Sequence, residues 1–129
     1  MEIKIGSKGY KETIVNKENT AAAFGSGAVE VFATPAMIAL MEAAALEAIA
    51  PFLDEGQTSV GTGISSSHLA ASPLGMKVWA TAEVLELDRR RVVFSVRAFD
   101  EKEMIGEGEH ERFIVQEEKF LSKALSKIK

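Results

Sequence analysis

The chain has 129 residues, no cysteine and a formal net charge of −4. That length fits a single domain over residues 1–129, able to bury roughly two-thirds of its unfolded surface without covalent staples. The missing thiols exclude zinc–thiolate sites, redox pairs and cysteine nucleophiles, and acidic residues spread along the chain argue against a nucleic-acid partner, which selects for a basic stripe.

The opening MEIKIGSKGY lacks the long apolar core of a secretory signal. Tyr10–Val15 reads as a short strand. Residues 18–27, ENTAAAFGSG, run from polar to small to glycine-rich and read as a short helix or a loop. Ala28–Ala33 alternates enough to predict a second strand. A long helix follows. Thr34 suits its N-cap, since a hydroxyl there accepts from an unpaired amide of the first turn, and Pro35 suits the first helical position. Alanine, leucine, methionine and glutamate carry the helix to about Pro51–Gly56. It is apolar on nearly all sides, as in a helix buried on every face. A membrane span needs ~20 residues with few or no charges. This stretch holds Glu42 and Glu47 and stops at Pro51, so a soluble, cytoplasmic protein without a membrane partner is expected.

From Gln57 the pattern changes to strands. Gln57–Ala70 places Val60, Thr62, Ile64, Ser66 and His68 on one face by the period of two. Ala71–Gly75 is a turn. Met76–Leu87 and Arg91–Phe99 form a hairpin through Asp88, Arg89 and Arg90. Arg89 to Arg91 make its tip basic, which reads as a solvated turn, with a nucleotide phosphate as the sharper alternative. Glu103–Val115 is the last strand. One of its faces carries Glu107, Glu109 and Glu111, the other Gly106, Gly108, His110 and Arg112. Residues 117–128 are expected to form an amphipathic helix, with Leu121, Leu125 and Ile128 at helical spacing and lysines near its end.

Two strands, one apolar helix and four further antiparallel strands predict an α+β fold. An all-apolar helix must be wrapped by the sheet, the arrangement of a hot-dog fold. An open sheet edge then calls for a partner, so a homodimer is expected, with pairing of dimers into tetramers left open.

Between Ala36 and Leu46 the only polar residue is Glu42. A buried carboxylate without partners is costly. Glu42 and Glu47 lie about 140° apart at ~100° per residue, so one wet stripe does not serve both. On composition, a working acid and a structural ion pair stand level for Glu42. His68 alone reads as a core or rim histidine, but near a carboxylate it becomes an acid–base partner. Thr34 sits where helix amides carry partial positive charge, a natural oxyanion site. Thr34 and Glu42 are separated by about 12 Å of helix rise and cannot bond each other along it. They face one substrate from two sides, or meet across a subunit interface. Arg112, on an inward face, needs an anion, structural or ligand. Gly61 and Gly63 open no phosphate loop and read as points of strand curvature. No metal-ligand spacing occurs, so no metal is expected.

The stretch FATPAMIALMEAAALEAIAPFLDEGQTSVGT, with SHLAASPLGM, DRRRVVFSVRAFDE and GEGEHERFIV, resembles the hot-dog thioesterases related to fluoroacetyl-CoA thioesterase, over about residues 25–115. The resemblance implies catalytic roles for Thr34, Glu42 and His68, a glycine near the small acyl group at Gly75, and an arginine near the site at Arg112. It implies hydrolysis of an acyl-CoA thioester, with coenzyme A as part of the substrate and no separate cofactor, and leaves the acyl group open. The alternative is a non-catalytic hot-dog module that binds an acyl-CoA or another small ligand.

Overall fold

The computed structural model describes residues 2–128; Met1 and Lys129, the ends of the expected domain, lie outside the described residues. Strand β1 (Lys8–Ile14) leads through a short helix α1 (Ala21–Phe24) to the long helix α2 (Thr34–Ile49), which a 3-10 turn at Ala50–Phe52 ends. Strands β2 (Gln57–His68), β3 (Lys77–Asp88), β4 (Arg91–Asp100) and β5 (Met104–Gln116) follow, then helix α3 (Glu117–Leu125). The five strands form one antiparallel sheet in the order β1-β3-β4-β5-β2.

Helix α2 lies in the concave side of this sheet and buries Ala36, Met37, Leu40, Met41, Ala44, Ala45, Ala48 and Ile49. Burying each large side chain among these contributes about 1.5–3 kcal/mol. The alanines let backbones meet. A Cβ at Gly9 of β1 would lie 2.0 Å from the Ala44 carbonyl oxygen and 2.6 Å from the Ala48 nitrogen, so only glycine fits that crossing. By length and composition Thr34–Phe52 would also suit a membrane span. Here it is the core helix, packed against Val78, Ala80, Val84, Phe94 and Val96 of the sheet.

Several local expectations need correction. Ala28–Ala33 is not a strand: only Val31 and Phe32 form isolated bridges, to Pro73 and Thr20. The backbone there is satisfied by loops, with the Phe32 N–H donating to the Ser72 carbonyl and the Ala33 N–H to the Asn19 carbonyl. Alternation builds a strand only where a neighbouring ladder accepts it. Thr34 is the first helical residue rather than the cap; Ala33 holds the cap position and no side chain caps the helix.

The period of two also breaks within β2. Gly61 pairs with Arg112 and Gly63 pairs with Glu111, leaving Thr62 as an inserted residue. Such a bulge reverses which residues face inward. Ser59 and Gly61 point to the helix before it, and Ile64, Ser66 and His68 after it. Val60 and Thr62 therefore do not share the face of His68. The hairpin through Arg89 and Arg90 is as expected, with Arg89 in the left-handed region at φ 59°. On the last strand His110 and Arg112 are buried, while Glu107 and Glu109 are exposed.

Candidate active site

The first residue of α2 and the last residue of β2 meet at the rim of the fold. The Thr34 hydroxyl Oγ1 lies 2.7 Å from His68 Nδ1. This bond takes the hydroxyl that a cap would have used. The other ring nitrogen, Nε2, is buried and has no partner among the described residues. Burial pushes the His68 pKa down, and a backbone contact with Ala70 only partly opposes it. The ring is thus neutral at neutral pH, with one nitrogen engaged by a hydroxyl and the other unused. Val31, Leu69, Ala70 and Ala71 line a shallow depression around the pair. Thr34, the first residue of α2, lines this depression, and the start of the helix, which has no side-chain cap, brings its partial positive charge close to it.

A second group lies further along the helix. Glu42 is half-buried and reaches toward β2 and β5 at Gly61. A Cβ built on Gly61 would lie 3.1 Å from Glu42 Oε2, 3.2 Å from His110 Cε1 and 3.6 Å from Arg112 Nη1. Glycine therefore lets a carboxylate, an imidazole and a guanidinium close in on the strand, where even a methyl group would crowd them. Arg112 is held from behind: Nε donates to Ser59 Oγ at 2.8 Å and Nη2 to the Ser59 carbonyl at 2.8 Å. Its Nη1 lies 3.2 Å from His110 Nε2. Burial lowers the Arg112 pKa and the nearby Glu42 charge raises it. Glu42 and Arg112 feel each other's charge yet form no ion pair, and Glu42 accepts no hydrogen bond among the described residues. A carboxylate with a cation nearby and both oxygens unused is available to a ligand or to water.

The structure brings Thr34 to His68 and Glu42 to Arg112, but it does not bring the two groups into contact. The histidine near Glu42 is His110, not His68. Gly75 joins neither group. It occupies the turn before β3 at φ 90°, where its N–H donates to the Val15 carbonyl. The glycine beside the carboxylate is Gly61. Parity on the last strand had already put His110 on the face of Arg112. Gly61 carried no usable signal, because the bulge beside it decides its direction. Glu47 faces outward and pairs with Lys11 Nζ at 3.4 Å, both side chains half-exposed. Arg91, at the basic hairpin, is ion-paired with Glu111.

An antiparallel sheet curled around one long helix, with polar groups at the helix start and middle, defines a hot-dog protein. A hot-dog-like protein from Thermanaerovibrio acidaminovorans is 27% identical with a TM-score of 0.87, covering 97% of this chain and 93% of its own. The family described as fluoroacetyl-CoA-specific thioesterase matches residues 15–118, and the chain belongs to that family. The fluoroacetyl-CoA thioesterase of Streptantibioticus cattleyicolor is 45% identical over 98 residues, 76% of this chain and 70% of that protein. A solved structure of the fluoroacetyl-CoA thioesterase FlK superposes with a TM-score of 0.92 at 35% identity, covering 98% of both chains.

Proposed function

We propose that the protein hydrolyses an acyl-CoA thioester to a carboxylic acid and free coenzyme A. The observation that carries this reading is the Glu42 carboxylate, without a partner among the described residues, which stands against Gly61 beside Arg112. Uncapped amides at the start of α2, together with the Thr34 hydroxyl, polarise the thioester carbonyl. Glu42 either attacks the carbonyl carbon, forming an anhydride that water then opens, or takes a proton from the water that attacks. In both routes the C–S bond breaks, and the proton that the departing thiolate ends with comes from the consumed water, relayed by His68, whose neutral ring takes it up before passing it on. Arg112, held by Ser59, anchors the acyl end.

The two groups lie about 12 Å apart along α2. A substrate spans them, or the Thr34–His68 pair of one subunit works with Glu42 of a second copy. β2 forms one edge of the sheet over 12 residues, and its free side supports a homodimer built there. The enzyme is read as cytoplasmic, with no membrane or nucleic-acid partner and no cofactor beyond the coenzyme A of its substrate. The absence of cysteine suits a reducing compartment.

Thiol release measured over a panel of short, branched and aryl acyl-CoAs tests the reaction. Turnover by the parent chain, lost in both Glu42→Ala and His68→Ala, supports it. Tight acyl-CoA binding with no thiol release from the parent would instead favour a non-catalytic sensor. Sedimentation velocity tests the dimer, which a monomer at micromolar concentration would refute.

A further inference from the structure

His110 is almost completely buried, and nothing in the proposed reaction uses it. A buried imidazole must satisfy both ring nitrogens. Nδ1 lies 2.8 Å from the Gly63 carbonyl oxygen, which only accepts, so Nδ1 carries the proton. Nε2 is then bare. Facing it at 3.2 Å is Nη1 of Arg112, which only donates. The two bonds run in one direction, from guanidinium to imidazole to carbonyl, and they hold only for a neutral ring. The Phe94 ring, stacked at 6.0 Å between centroids, sets the plane of the imidazole. The Gly63 carbonyl is in place because Thr62 is inserted beside it, so the bulge that reverses the face of β2 also supplies the anchor.

We propose that His110 is the positioning residue for Arg112, its neutral Nδ1-protonated ring holding the guanidinium beside Glu42 without letting the two charges close into an ion pair. Arg112 is then clamped on three sides, by Ser59 Oγ, the Ser59 carbonyl and His110 Nε2. Its remaining N–H groups stay free for an acyl group. The charged groups facing His110 are Glu42 from α2 and Arg112 and Glu111 on its own strand; β4 contributes Phe94 and β2 the Gly63 carbonyl. Protonating Nε2 would turn the acceptor into a donor aimed at a cation and release the clamp. The consequence for turnover rests on the thioesterase reading; the ring's tautomer does not.

Two measurements test it. Nitrogen-15 NMR of histidine-labelled parent protein, assigned by comparison with His68→Gln, should show His110 protonated at Nδ1 and bare at Nε2 at pH 7.5. The opposite tautomer, or an imidazolium at that pH, overturns the assignment. Kinetics supply the second. His110→Gln keeps an acceptor toward Arg112, whereas His110→Asn keeps the bond to Gly63 and loses the one to Arg112. kcat/KM should stay within about threefold for the glutamine variant and fall roughly 10- to 100-fold for the asparagine variant at matched Tm, as expected for a displaced anchor. In an Arg112→Ala background His110→Asn should add no further loss, because the two act as one unit. Equal losses for both variants, or full additivity, sinks the proposal. If the parent hydrolyses no acyl-CoA, the thioesterase reading fails, while the tautomer measurement still decides the role of His110.

Discussion

Thr34 and His68 meet at the rim, where α2 begins and β2 ends, whereas Glu42, His110 and Arg112 gather further along α2 against the middle of the sheet. Among the described residues, the rim pair rests on one hydrogen bond and leaves a buried ring nitrogen unpartnered. The inner group is cross-braced through Ser59 and Gly63 and, among the same residues, leaves one carboxylate unpartnered. Each region thus keeps one polar function unused, and the two functions are complementary: a histidine able to carry a proton and a carboxylate able to take one. Pre-organisation differs as well. The inner group is held by the sheet ladder itself, while the rim depends on the helix start and the chain leaving β2.

That contrast orders the expected effects. Glu42→Ala should lower kcat by roughly 10²–10⁴, the range of a positioned acid–base group, without lowering Tm, since it removes a half-buried carboxylate that has no partner. Retained turnover would move the chemistry entirely to the rim. His68→Ala should cost about 10²-fold in kcat, less than the inner carboxylate, because solvent at the rim can relay the proton in its place. Thr34→Ser should keep most activity and Thr34→Ala should not; a silent Thr34→Ala would reduce that hydroxyl to packing.

Gly61→Ala tests the close approach of Glu42 and His110 to β2. Its Cβ would stand 3.1 Å from Glu42 Oε2 and 3.2 Å from His110 Cε1, so the carboxylate or the ring must shift. A loss of roughly tenfold or more in kcat/KM is expected, because the carboxylate is displaced. Full activity would mean that the close approach of Glu42 to the strand is not needed for turnover. The smallest effect is on pH dependence. Burial lowers the pKa of both His68 and His110 below the ordinary histidine value of 6.5. Protons therefore bind the unfolded chain more readily than the native one, and this contribution to stability is complete above pH 6.5 and fades as pH falls toward the native pKa values. Tm should drop on acidification below 6.5, and the acid limb of kcat/KM should lie below that value. In His110→Gln the Tm loss should shrink, and an unchanged Tm profile would assign the acid sensitivity to other groups.

Much of the architecture was legible residue by residue. The apolar run from Ala36 to Leu46 demanded a buried helix, and Glu42 stood out because helix and strand periods are local properties that neighbours in sequence define. The alternation of the last strand placed His110 and Arg112 together on the inward face. The DRR turn marked the β3–β4 hairpin. Local pattern failed at Ala28–Ala33, where propensity had no neighbouring ladder to pair with, and at Thr34, whose hydroxyl went to His68 instead of to the helix amides.

What the sequence by itself determined was the inventory: one core helix, a sheet to wrap it, and the polar types available on each inward face. Only the tertiary structure decided which of them meet. Thr62 is inserted because β2 and β5 pair with one residue mismatched, and that mismatch turns Gly61 toward Glu42 and His68 toward Thr34. Register is a property of two strands together, set by the summed fit of side chains and hydrogen bonds across the sheet. No window along one strand contains it.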